Sequence, residues 1–246
     1  MGGSLVVIIV APKTVVRLYD GAGSNRCGAT PQHVQNCDSC ASWGLLATRV
    51  RAKTKNLITL AGLRPEATSL TWNNSSTKID DHQASRVIET GNFRCGTVIV
   101  GGEDFITETI TFEKFSPEPL VVSKCMIRGS GQAVAIRVTA DWYAFYNCLF
   151  IGWQDTLYLH YGKQYLKDCY IEGYMDFIFG NSTPLLEHCH IQCKSAGLLI
   201  AQSIKSSQES TGYVFPRYVI TGNGGDFIYV LERPWGLFGR IIVADM

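Results

Sequence analysis

A short motif returns along the chain at a nearly constant interval. Asn147-Cys148-Leu149-Phe150-Ile151-Gly152 recurs as Asp168-Cys169-Tyr170-Ile171-Glu172-Gly173 and, more loosely, as His188-Cys189-His190-Ile191, so the cysteines stand 21 and then 20 residues apart. The surrounding text is β-like. Asn56–Gly62, Thr97–Val100 and Phe105–Phe112 are rich in β-branched residues and broken by Gly or polar turns, and no stretch of a dozen residues carries helical periodicity. A period near 21 in β-rich sequence marks a solenoid in which each repeat makes one coil. Equivalent positions of a parallel β-helix stack about 4.8 Å apart. Cys148, Cys169 and Cys189 then form an inward ladder of small thiols. The competing reading is disulfide or metal ligation, but neighbouring parallel strands rarely offer disulfide geometry.

Composition agrees with a packed all-β chain. Charged residues make up 17% and hydrophobic residues 46% of the 246, whereas about a quarter of an average globular protein is charged. Disordered tails, collagen-like repeats and coiled coils are excluded. A net charge of +1 points to neither nucleic acid nor an anionic membrane as partner. The apolar run Leu5–Ala11 is far short of the ~20 residues of a membrane helix. No Lys or Arg precedes it and no clean cleavage site follows, so it makes a poor export signal. Nine cysteines cannot all pair within the chain.

Counting forward from the ladder locates the chemistry. Asp155 follows Cys148 by seven residues and Asp176 follows Cys169 by seven, so the two carboxyls take one position on adjacent coils. Like charges that close resist joint ionisation, and one carboxyl keeps its proton. A protonated acid beside a carboxylate is what two-step ester hydrolysis requires. Gln132 precedes Gln154 by 22 residues, again one coil, which brings two amides to the same place. Spacing alone leaves a second reading open, since Asp at β-helix corners also serves ordinary turns.

The motifs around the pair add a resemblance. Gln132-Ala-Val-Ala-Ile-Arg137, Gln154-Asp-Thr-Leu-Tyr158, Asp176-Phe-Ile-Phe-Gly180 and Arg233-Pro-Trp235 are similar, in order and spacing, to those of the plant pectinesterases (pectin methylesterases) over roughly residues 54–244. The resemblance implies an all-β, right-handed parallel β-helix and removal of methyl esters from polygalacturonate, with release of methanol. It implies Asp176 as nucleophile, Asp155 as general acid and then base, and Gln154 as oxyanion donor. Gln132 would assist and bind substrate, Arg233 would hold Asp176 ionised, and Trp235 would offer a flat face to a sugar ring. It implies no metal and no cofactor, unlike the calcium-dependent pectate lyases of similar fold. Methylated pectin is the partner it implies, a proteinaceous pectinesterase inhibitor a further one, and the cell wall the location. The alternative is a β-helix fragment that at most binds the polymer. His188 and His190 flank Cys189 and read as a solvated pair opposite the thiol, and His160 as a rim residue. Asn73, Asn74 and Asn181 open glycosylation sequons, which matter only in a secreted chain.

Several features depart from the family pattern. Residues 1–53 read as an aberrant segment ahead of a β-helix domain at 54–246. His33–Gly44, with its Cys37-x-x-Cys40 pair, can be encoded by codons that in a neighbouring frame give Asn-Thr-Cys-Lys-Thr-Val-Ile-Arg-Val-His-Pro-Gly. That string looks like a family strand and suggests a frame slip before His33 that recovers near Lys53. Residues 119–128 read as an insertion ahead of Gln132, and the solenoid is expected to be incomplete at both ends. Glu232 stands where the family has Gly and is expected to compete with Asp176 for Arg233. Ile200 and Ile204 replace an expected Thr and Arg, which weakens binding of an acidic polymer.

Overall fold

A single backbone device, repeated once per coil, turns this chain into a solenoid. Thr109, Asn147, Asp168, His188 and Arg217 all adopt φ between 50° and 54°. Each is followed by a buried residue: Ile110, Cys148, Cys169, Cys189 and Tyr218. One residue in the left-handed region reverses the side-chain alternation and bends the strand, which L-residues tolerate singly and Asn or Asp most easily. The next side chain is thereby delivered to the interior. The cysteine repeat is the visible part of this corner, and all three thiols are free and buried.

The computed structural model describes residues 57–72, 95–114, 132–223 and 229–245, together with the backbone of short strands at 6–10, 14–15, 35–36, 45–46, 121–122 and 125–126. The chain winds through three sheets of eight, seven and six strands. A representative coil runs Tyr143–Tyr146 in the first sheet, Leu149–Ile151 in the second and Leu157–Tyr161 in the third. The next runs Lys163–Lys167, Tyr170–Gly173 and Ile178–Gly180, and the one after Thr183–Glu187, His190–Cys193 and Gly197–Gln202. Every strand pairs in parallel with its equivalent on the neighbouring coil, as in Phe112↔Phe150↔Ile171↔Ile191 of the second sheet. This is a parallel β-helix.

Inward side chains fill the interior. Phe112 stacks on Phe150 with centroids 5.5 Å apart, and Tyr143 stacks between Phe105 and Phe145 at 4.9 and 4.4 Å. Each fully buried side chain of this size contributes about 1.5–3 kcal/mol, so the aromatic ladder is a main source of cohesion. The sequence reading of Phe105–Phe112 as one β segment needs correction. The left-handed Thr109 divides it into Phe105–Glu108 of the first sheet and Thr111–Lys114 of the second.

Within the proposed insertion, Val121–Val122 and Cys125–Met126 form an antiparallel pair outside the three sheets. In the aberrant segment, Val6–Val10 adds to the first sheet beside Ile58–Gly62, and Leu45–Leu46 to the second beside Ser69–Trp72. Thr14–Val15 and Gln35–Asn36 form a separate antiparallel pair, and the remaining residues of both segments lie outside the described ones, as do Cys37, Cys40, Asn73 and Asn74.

Candidate active site

The third corner, between the second and third sheets, carries the aspartates. Isolated parallel bridges join Gln132 to Gln154 and Gln154 to Met175. Since Leu157 pairs with Ile178 further along, Asp155 and Asp176 sit in register on adjacent rungs, about 4.8 Å apart along the ladder. Both have left-handed backbones, at φ 62° and 47°, and both are buried. Their backbone amides donate across rungs, Asp155 to the Met175 carbonyl at 3.2 Å and Asp176 to that of Leu198 at 2.7 Å. The turn reading and the functional reading are therefore compatible, because the same corner that needs Asp-like backbone freedom also sets the two residues on adjacent rungs.

Asp176 is the better defined of the pair. Its Oδ2 is ion-paired with the Arg233 guanidinium, while Oδ1 is buried without a hydrogen-bond partner. Burial pushes its carboxyl up to about 6, with Arg233 pulling the other way. The expected ion pair is present, yet desolvation outweighs it, so Asp176 titrates within reach of neutrality instead of staying fully ionised in acid.

The expected competition from Glu232 does not occur. Arg233 and Glu232 are successive residues of the strand Tyr229–Pro234, and successive side chains of a strand point oppositely. Arg233 pairs in register with Ala201, which pairs with Phe179. Glu232 instead pairs with Ile200, and one of its carboxylate oxygens lies where a Cβ on Gly239 would stand. Burial alone raises its carboxyl. Ile200 and Ile204 are both fully buried, Ile200 in the main core. An apolar side chain satisfies packing at both positions.

Gln154 is buried and Gln132 half-buried on the next rung. Trp235 is exposed, with its ring edge-on to Phe179 at 6.0 Å. Phe179 in turn stacks on Tyr158 at 4.3 Å and 15°. Tyr158 and Trp235 thus flank Phe179, whose ring is itself fully buried, on the outer side of the third sheet. The motif reading named only Trp235. The missed signal was present, since Tyr158 and Phe179 each follow their Asp by three residues. Phe179 belongs with Cys95, Val134 and Ala201 to a small buried cluster apart from the main core, against which Tyr158 packs.

The histidines have ordinary roles. His188 occupies the left-handed corner, outside the strand that carries His190, and its Nδ1 lies 2.5 Å from Asp168 Oδ1. His190 meets the Thr221 hydroxyl at 2.6 Å, and half-buried His160 stands edge-on to Tyr158 at 5.2 Å. Asn181, first residue of a sequon, donates to Glu209 at 2.5 Å and accepts from Thr211 at 2.7 Å.

Known proteins resemble this chain in sequence and in fold. The Pectinesterase family model matches residues 50–246. Pectinesterase 31 of Arabidopsis thaliana is 69% identical over 192 residues, covering 78% of this chain and 57% of that protein. Pectinesterase 3 of Citrus sinensis is 30% identical over 242 residues, covering 88% of this chain and 40% of that one. The chain thus spans about half the length of the curated relatives it matches. The solved pectin methylesterase from carrot superposes with a TM-score of 0.68 at 26% identity, covering 99% of this chain and 73% of that one. That from Aspergillus niger gives 0.63 at 26%, with 82% and 66% covered. Sequence match and coil-by-coil superposition agree, and the chain belongs to the pectinesterase family.

Proposed function

We propose that this chain removes methyl esters from polygalacturonate, in the plant cell wall, through an aspartyl acyl-enzyme. The observation that carries the reading is the Asp155–Asp176 pair, in register on adjacent rungs, with one Asp176 oxygen bound to Arg233 and the other buried and unpartnered. The guanidinium favours negative charge on Asp176, and in this reading Asp155 supplies the proton. Asp176 Oδ1 then attacks the ester carbonyl, and the tetrahedral oxyanion receives the amide hydrogens of Gln154, assisted by Gln132. A donor of this kind is worth about 100- to 1000-fold in rate. The C–O bond to the methoxy group breaks, and methanol leaves with the proton of Asp155. Asp155, now a carboxylate, takes one proton from water, whose oxygen attacks the acyl-enzyme; Asp176 leaves as a carboxylate, and the galacturonic acid formed gives up its remaining proton to solvent. Exposed Trp235, backed by the buried Phe179 ring, gives a sugar ring a flat apolar face beside the pair.

The test is methanol release from methylated pectin by purified chain. Release that disappears in Asp176→Asn supports the reading. Folded parent protein that yields no methanol overturns it, and unsaturated, ultraviolet-absorbing products would replace it with a lyase.

A further inference from the structure

Lys194 follows the second-sheet strand His190–Cys193 and lies at the third corner, one coil beyond Asp176. Its ammonium reaches back across two coils. It is ion-paired with Glu172, donates to the Gly152 carbonyl at 3.0 Å, and stands 4.6 Å over the Trp153 ring. Glu172 is itself fixed, since its other oxygen accepts the Tyr170 hydroxyl at 2.9 Å. The two charged side chains are only 17% and 18% exposed. A pair so shielded is far more sensitive to loss of one partner than an open surface pair.

What Lys194 grips is the turn that leads into the aspartates. Gly152 and Trp153 immediately precede Gln154 and Asp155. The Trp153 carbonyl accepts the backbone amides of Tyr174 at 2.7 Å and Met175 at 3.4 Å, the two residues ahead of Asp176. The Lys194 amide donates to the Gly173 carbonyl at 2.8 Å, which ties the same lysine to the second turn.

We propose that Lys194 is a positioning residue that clamps the turns 152–155 and 173–176 together and so sets the spacing between Gln154, Asp155 and Asp176. This rests on the ester-hydrolase reading above for its kinetic consequence. The cation makes no contact with a reacting group. Its effect passes through Trp153 and Glu172, and a displacement near 1 Å at a reacting group can cost about 100-fold.

The experiment compares Lys194→Met, Lys194→Arg, Glu172→Gln and, as a control, Lys163→Met, which removes the cation 5.2 Å over exposed Trp142. In Lys194→Met, kcat for methanol release falls about 10- to 100-fold with KM within about twofold. Lys194→Arg recovers most of that loss, because a guanidinium can keep the ion pair and the ring contact. Glu172→Gln falls between them, and Lys163→Met matches the parent. Folded Lys194→Met with parental kcat, or Lys194→Arg no better than Lys194→Met, overturns the proposal. If Lys194→Met does not fold, an unchanged kcat in Glu172→Gln does so. Carboxyl titration by carbon NMR, with Asp176 assigned from Asp176→Asn, separates this inference from the reading beneath it. A parent without methanol release defeats the esterase, while the Asp176 midpoint still decides for Lys194, which is overturned if that midpoint is the same in parent and Lys194→Met.

Discussion

Arg233 lies two rungs beyond Asp176 and still reaches it, because its strand register with Ala201 and Phe179 aims the guanidinium back along the outer face of the third sheet. Desolvation lifts the Asp176 carboxyl to about 6 in spite of that cation. The nucleophile must be ionised, so kcat/KM rises with pH through a midpoint near 6. Replacing Arg233 by Met removes the one influence that lowers the midpoint and moves the limb to higher pH. A pH–rate profile of both proteins checks this, and a shift toward acid would contradict it.

The same group gives stability a sign opposite to that of an ordinary paired carboxylate. The folded-state value of about 6 lies above the usual 3.8, so between these limits the folded chain holds a proton that the unfolded chain gives up. Its contribution to stability is fully present below about 3.8 and is lost as pH rises through 6. Asp176→Asn abolishes turnover yet unfolds at higher urea than the parent at pH 7, by up to about 3 kcal/mol. Asn also accepts the left-handed backbone at this position. Near pH 3.5 the gain vanishes. Urea titrations at the two pH values decide the matter, and an equal difference at both refutes the account.

Gln154 is expected to act on the transition state and not on the resting substrate. Gln154→Leu keeps the volume but removes the amide, and kcat drops about 100- to 1000-fold while KM changes little. Gln132→Leu, at the half-buried outer rung, costs less and raises KM. Steady-state kinetics on methylated pectin separate the two patterns.

The corner residue Asn147 is exposed, with φ 50°. Asn147→Gly should leave stability nearly unchanged. Asn147→Val, a β-branched residue forced into the left-handed region, should cost at least about 1–2 kcal/mol. Thermal melts of the pair measure the strain directly, and equal stability of the two variants would argue that the corner relaxes.

The spacing of Cys148, Cys169 and Cys189 contained both the β-helix and the register of Asp155 on Asp176, because a solenoid with a fixed coil length converts sequence offset directly into position on a rung. Other features follow from three-dimensional neighbours that no local string encodes. Thr109 looks like a strand residue and is a corner, since its conformation is imposed by rungs on either side. Glu232 looked like a rival for Arg233 until strand alternation put the two on opposite faces. Lys194 belongs to no motif, and its importance rests on Gly152 and Glu172, which are separated from it by 42 and 22 residues.

The first-to-second corner has a further consequence. From Phe105 onward it always consists of one left-handed residue and one buried residue, with no room for more. Between the second and third sheets the chain takes only five residues from Ile151 to Leu157, but 21 from Lys114 to Ile136. Growth and loss of sequence are therefore kept off the first-to-second corner and fall on the other two, the aspartate side among them, since the return from the third sheet to the first also ranges from one residue (Tyr161 to Lys163) to ten (Gln202 to Tyr213). Such a scaffold can diversify access to its chemistry by lengthening loops there, while the winding that aligns the reacting groups stays untouched.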